Sequence, residues 1–385
     1  MNIALTTNTR IYRIAISIFF FVAGLTFASW ASRIPDIKEQ LGLSDAGLGI
    51  VLFALPVGQL LSLPLSALMI QRFGSKGILI AMALLYPITL ILLGTVTAVW
   101  QLAGILLIFG FWANSMNIAM NTQAVELEKF YGRSIMASFH GLWSLAGFTG
   151  AIAGSFFVSA GFSPLIHFSV ICLISGFLVL ASYRYTVPDS PARTNRQRLI
   201  VKPGKQIMIL GFIAFCCMLC EGAMADWSGV YFQKVVQVPK SSTTLGFVAF
   251  TGAMASGRFI GDWLVTKFGI KNILKLSGYI IFAGLSIAVL MPSIYGAITG
   301  FLLVGFGVSS VVPIVYGLAG KSSTMSAGAA LAAVSTISFV GFLIGPPLIG
   351  FIAQLSGLRI SFGLISILGL LTVLLATKVK DAGIK

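Results

Sequence analysis

Two acids stand inside one of the most apolar runs of the chain. In Cys220-Glu221-Gly222-Ala223-Met224-Ala225-Asp226-Trp227 both fall within the run from about residue 207 to 232. A carboxylate in hydrocarbon costs several kcal/mol, so an acid at that depth persists where it lines a cavity or meets a partner. The chemistry open to it is to load and release a proton. At 1.5 Å per residue Glu221 lies roughly 21 Å into the run and Asp226 roughly 28 Å, one near mid-depth and one near the far end. On an ideal helix they point about 140° apart, so they are not a carboxylate pair unless Gly222 breaks the helix. Glu221 is the first candidate proton carrier and also a candidate solute contact. Asp226 is a further proton candidate, with helix capping as its structural alternative. His140, about six residues inside another apolar segment, is the third, because imidazole titrates near neutral pH.

Polar side chains at helical spacing form a second group. Asn114, Asn117 and Asn121 recur at i, i+3 and i+7, one face of a helix. Amides facing lipid would lack partners, so this face should look into protein or a wet cavity. There it would either bond a neighbouring helix or present donors and acceptors to a hydroxyl-rich solute. Trp30, Trp227 and Tyr316 complete the candidate solute-binding set, with interfacial anchoring as the alternative for the two tryptophans. Arg258 and Asp262, four apart, have the spacing of an ion pair that could latch one end of a helix bundle. Arg72 and Lys267, in basic loops, are grouped with them as gating residues.

Composition says what must hold these residues. Of 385 residues 57% are hydrophobic and 9% charged, a balance foreign to soluble domains of this size, so the chain is expected to be an integral membrane protein. Apolar segments recur at roughly 11–32, 46–70, 77–96, 98–124, 135–160, 165–186, 206–233, 244–266, 272–291, 293–318, 328–353 and 357–377. Each is long enough to cross about 30 Å of hydrocarbon as a helix. The expected fold class is all-α with twelve transmembrane helices. The net charge of +15 is a topology signal rather than a nucleic-acid signal. Of the 25 Lys and Arg, all but Arg33, Lys38, Lys234, Lys240, Arg258 and Arg359 fall on one side, which places both termini in the cytoplasm.

The first span has the basic start and small residues of a signal peptide, but the repeat described next argues that it stays. Cys172, Cys216, Cys217 and Cys220 fall within spans. Cys217-x-x-Cys220 has no His or second Cys pair beside it, so packing is expected and no metal. Gly320-Lys321-Ser322 resembles the end of a phosphate loop, but Val315 stands where that loop needs its first glycine. No cofactor is expected.

The stretch 188–205, rich in Pro, Arg and Lys, reads as a cytoplasmic linker between residues 1–187 and 206–385. The two halves resemble each other. At an offset of 197, Ala28-x-Trp30 matches Ala225-x-Trp227, and Leu48-Gly49-x-Val51-x-Phe53 matches Leu245-Gly246-x-Val248-x-Phe250. At 195, Phe73-Gly74-x-Lys76 matches Phe268-Gly269-x-Lys271, and Gly150 falls on Gly345. Two pseudo-symmetric halves of six helices are the expected architecture, that of a secondary transporter. In this register Glu221 falls opposite Gly24, and an acid present in one half only marks a task beyond packing.

These residues resemble the major facilitator superfamily over essentially the whole chain. Gln71-Arg72-Phe73-Gly74-Ser75-Lys76 is similar to its signature between the second and third helices, with Gln71 in place of the usual Asp. The counterpart, Gly257-Arg258-Phe259-Ile260-Gly261-Asp262 followed by Lys267-Phe268-Gly269, keeps opposite charges. Ala28-Ser29-Trp30-Ala31-Ser32-Arg33-Ile34-Pro35, His140-Gly141-Leu142-Trp143-Ser144-Leu145, Glu221-Gly222-Ala223-x-x-Asp226-Trp227 and Gly345-Pro346-Pro347-Leu348-x-Gly350 resemble the YbjJ and MosC (rhizopine permease) branch, related to fucose permeases. The resemblance implies secondary active transport by alternating access, often proton-coupled, of a small polar solute such as a sugar, cyclitol or amino sugar. It implies a monomer in the bacterial inner membrane, with solute, protons and the bilayer as partners. Proton-driven export of drugs or amphipathic metabolites on the same fold is the alternative. An embedded enzyme would need clustered catalytic groups, whereas the two His stand far apart, so no enzyme is expected.

Overall fold

The computed structural model describes residues 2–132, 135–188, 203–322 and 325–379. Every element among them is helical. In order they are α1 (Asn2–Ala31), α2 (Ile34–Gln40), α3 (Asp45–Leu52), α4 (Ala54–Gly94), α5 (Val99–Tyr131), α6 (Met136–Ser159), α7 (Pro164–Ser182), α8 (Lys205–Tyr231), α9 (Leu245–Phe268), α10 (Ile270–Leu290), α11 (Ile294–Ser309), α12 (Val311–Gly320), α13 (Ala327–Ser356) and α14 (Leu358–Thr377). They form two compact units, Met1–Gly42 with Val51–Arg193 and Leu43–Ile50 with Thr194–Lys385. Of the expected linker, 189–202 lie outside the described residues.

Ten helical stretches among the described residues are long and apolar enough to cross a membrane. They are consistent with twelve crossings for two physical reasons. The stretch Asp45–Gly94 is 50 residues long, and at Gly74 its backbone leaves the helix (φ 79°, ψ 156°), so it contains two of the expected segments. Helix α9, at 24 residues, has the length for a crossing, about 36 Å. Its Arg258, Asp262 and Lys267 dilute its apolar character.

The internal repeat is realised in backbone and packing alike. Gly269, the partner of Gly74 at an offset of 195, takes φ 79° and ψ 152° between α9 and α10. This region of backbone space is open almost only to glycine. Inside the first unit α1 packs on α6 and α4 on α5; inside the second α8 packs on α13 and α9 on α11. In each unit a glycine at a matching position permits a close crossing. Gly110 of α5 lies against the carbonyl oxygen of Leu55, and Gly305 of α11 lies against that of Phe250, both pairs again 195 apart. Lipid offers no hydrophobic drive for helices to associate, so such van der Waals contact between backbones carries much of the stability. Aromatic rings fill the space that remains. Tyr86 and Phe109 stand 4.5 Å apart in the first unit, and Tyr231 and Phe362 4.5 Å apart in the second, where Tyr231 also donates to the Ala288 carbonyl at 2.8 Å.

Candidate functional site

Glu221 is the deeper of the two acids on α8, and the second unit supplies it with a cation. Arg258 of α9 brings Nη2 to 3.9 Å from Glu221 Oε1, the two side chains being 16% and 15% exposed. The local sequence explains the approach. On α9, Gly257 sits directly against Ser309 and Gly261 against Ser310, so this glycine face seats on the end of α11. Arg258, one residue on from Gly257, is rotated away from that contact and reaches α8. On the α8 side, Gly222 leaves room for the Phe342 ring of α13, 3.2 Å from where a Cβ would stand. Beside the acid, Cys217 donates its thiol to the Val308 carbonyl at 3.6 Å, a packing role.

The separation decides what this pair can do. Charge-assisted hydrogen bonds run about 2.7–2.9 Å, so 3.9 Å is an ionic contact that has not closed. Unit charges at that range attract by about 4 kcal/mol at an effective dielectric of about 20, and desolvation offsets most of it. Such a pair holds while both partners are charged and separates readily once the acid is neutral. Asp262, one turn further along α9, is exposed, and its backbone carbonyl accepts from Thr266 Oγ1 at 2.8 Å. Arg258 thus meets Glu221 across two helices, a partner that spacing along one helix did not single out.

Asp226, at 7% exposure, is buried without an ion pair among the described residues. Trp227 (0%) and Trp30 (1%) are enclosed, each with an indole nitrogen that no acceptor meets, and Trp30 tilts against Phe109 at 6.4 Å. Tyr316 is half-buried on α12. The two loop cations behave alike at corresponding positions: Arg72 lies over the Phe73 ring at 5.3 Å, and Lys267 over those of Trp263 and Phe268 at 4.9 and 5.4 Å.

In the first unit the asparagines separate into two roles. Asn114 bonds α4, donating to Ser62 Oγ at 2.7 Å and to the Gln59 carbonyl at 3.0 Å. Asn117 is exposed, and Asn121 donates to both its side-chain and its backbone oxygen. Together with Ile118, Thr122, Val125 and Glu126 they line an open recess of ≈ 520 Å³ along one face of α5. His140 is exposed on α6, with its ring edge-on to Phe20 at 5.5 Å.

One cluster escaped the sequence reading. Arg33, 1% exposed, donates Nη1 to Asp36 at 2.8 Å, Nη2 to the Phe162 carbonyl at 3.0 Å and Nε to His167 Nδ1 at 3.2 Å. This ties the end of α1 to the start of α7. Since Nδ1 accepts, the His167 proton sits on Nε2, which has no acceptor, and the ring stacks on Phe157 at 4.7 Å. His167 is therefore a polar anchor rather than plain packing. The only sequence signal was the i,i+3 spacing of Arg33 and Asp36.

Comparison with known proteins agrees with this arrangement. Residues 14–338 match the Major Facilitator Superfamily. An uncharacterized MFS-type transporter of Yersinia pestis is 37% identical over 92% of each chain. Membrane protein MosC of Rhizobium meliloti is 34% identical over 89% of this chain and 84% of its own. Among solved structures, a mutant form of the nucleoside transporter NupG superposes with a TM-score of 0.79 at 14% identity, over 96% of this chain and 100% of its own. A bacterial homolog of the human lysosomal transporter Spinster, inward-facing and occupied, gives 0.75 at 13%, over 96% and 97%. The chain belongs to the major facilitator superfamily: it is a multi-pass membrane protein, a secondary transporter of small solutes and not an enzyme.

Proposed function

We propose that this transporter moves a small polar organic solute, of sugar, cyclitol or amino-sugar type, in step with protons, and that Glu221 is the proton carrier. The observation that carries the reading is the Glu221–Arg258 contact, two opposite charges inside the second unit at 3.9 Å with no hydrogen bond between them. A proton taken up by Glu221 removes the charge that Arg258 faces across the two helices. That weakens one contact of the guanidinium and favours its pairing with Asp262, one turn away on its own helix, so proton loading and gating share one cation. Loss of the proton restores the first pairing. The recess on α5 supports the solute half of the reading, because Asn117 and Asn121 offer amides to hydroxyl groups there. Both termini lie on the cytoplasmic side of the bacterial inner membrane, the side on which most of the Lys and Arg are placed, and the monomer is the working unit.

The test is solute-dependent proton movement in vesicles, using a solute first found by its stabilisation of the purified protein against heat. Glu221→Gln is expected to abolish proton movement, while Asp226→Asn and His140→Ala keep it. Loss confined to either of the latter two would move the proton site. Stabilisation by lipophilic cations instead of sugars, cyclitols or amino sugars would replace the substrate class with the amphipathic compounds of an exporter.

A further inference from the structure

The turn between α9 and α10 carries Lys267, Lys271 and Lys275 at one membrane edge of the second unit. None of the three ammonium groups has an ion pair or a hydrogen bond among the described residues. Lys271, Lys275 and Tyr279 recur at i, i+4 and i+8 on α10, whose packed side is formed by Ile273, Ser277 and Ile281. They therefore share the outward side. On α9, Trp263 and Lys267 are likewise one turn apart, on the side away from the Gly257 and Gly261 seat against α11. Trp263 and Tyr279 are both exposed, and on a helix that crosses a membrane an exposed side chain meets lipid.

The internal repeat supplies a control. At the offset of 195, Lys267 and Lys271 correspond to Arg72 and Lys76, but Trp263, Lys275 and Tyr279 correspond to Leu68, Ile80 and Leu84. Basic residues kept in loops on one side account for the shared pair. They do not account for Lys275, which lies about 6 Å further along α10 than Lys271, at the inner limit of a headgroup layer that is itself about 6 Å thick. Its ammonium must extend back toward the surface and join two other cations. Asp262 is the one acid on the same stretch, so the mutual repulsion of the three is relieved best by an anion from outside the chain. Trp and Tyr favour the layer just beneath, with an apolar body and a polar tip. Cations above aromatic rings match a phosphate above its glycerol and acyl chains. A zwitterionic headgroup fits less well, because it brings an ammonium of its own.

We propose that the outward face of the α9–α10 turn binds an anionic phospholipid, its phosphate held by Lys267, Lys271 and Lys275 and its glycerol and upper acyl chains lying on Trp263 and Tyr279. The site is independent of the solute and of the proton role of Glu221.

Native mass spectrometry of the full-length protein, titrated in detergent with dioleoylphosphatidylglycerol and separately with dioleoylphosphatidylcholine, tests it. The wild type should bind the phosphatidylglycerol more tightly. Lys271→Gln with Lys275→Gln should weaken that binding about fivefold for each lysine removed, while Lys275→Arg stays within about twofold of wild type. Trp263→Leu, which installs the residue of the first unit, should weaken it about threefold, because Lys267 loses the ring it rests on. Lys205→Gln with Lys378→Gln is the charge-matched control, removing exposed lysines at the start of α8 and the end of α14, and should leave binding unchanged. Equal affinity of the wild type for the two lipids would overturn the proposal. So would phosphatidylglycerol binding untouched by the Lys271 and Lys275 changes, or a loss of the same size in the control pair, which would mark attraction to the overall charge and no site.

Discussion

At the scale of residues, the enclosed charges of this chain take partners from other helices. Glu221 was legible because a carboxylate stands out in an apolar run, and because its counterpart in the repeat is Gly24. The structure explains that asymmetry: Gly24 lies directly against the Trp143 backbone carbonyl, so its site has no space for any side chain, while the matching site on α8 is open to one. The partner of Glu221 was not legible, since Arg258 is 37 positions away and its own spacing pointed to Asp262. The same holds for Arg33, whose fork is shared among Asp36, His167 and Phe162. Arg33→Ala removes three contacts of a buried guanidinium at once and should cost about 3 kcal/mol. Arg33→Lys should recover only part of this, since an ammonium cannot reproduce three planar contacts. Thermal unfolding in detergent measures both, and an unchanged midpoint for Arg33→Ala would show that the cluster carries no stability.

At the scale of elements, helix positions were readable and helix contacts were not. Long apolar runs state where crossings lie, and the paired Phe-Gly-x-Lys loops marked the sites where Gly74 and Gly269 break the helix. Which glycines bring helices together depends on rotation about each axis, which a run apolar on all sides does not encode. The Gly110–Leu55 and Gly305–Phe250 crossings therefore emerge only in the fold. Trp30 and Trp227 are the same lesson, aromatic rings that sequence alone offered to solute or to interfacial anchoring and that the fold encloses. Gly110→Ala and Gly305→Ala should each destabilise by about 1–3 kcal/mol, as overpacking does. Gly104→Ala, on the same helix as Gly110 with nothing within 4 Å of its new methyl group, should be neutral or slightly stabilising. Equal effects at 104 and 110 would refute the steric account.

At the scale of the whole molecule, one unit carries an acid and its cation and the other an amide-lined face, and the proposed function assigns the proton to the former and the solute to the latter. The most direct test of that division reconstitutes the protein in vesicles with a solute found by thermal stabilisation. It compares uphill accumulation under an imposed proton gradient with solute counterflow in its absence, for the wild type and Glu221→Gln. Counterflow needs only the solute site and its alternating access; accumulation also needs the proton. Glu221→Gln should keep counterflow within about threefold of wild type while accumulation falls to the level of empty vesicles. Accumulation by Glu221→Gln at the wild-type level would contradict the account.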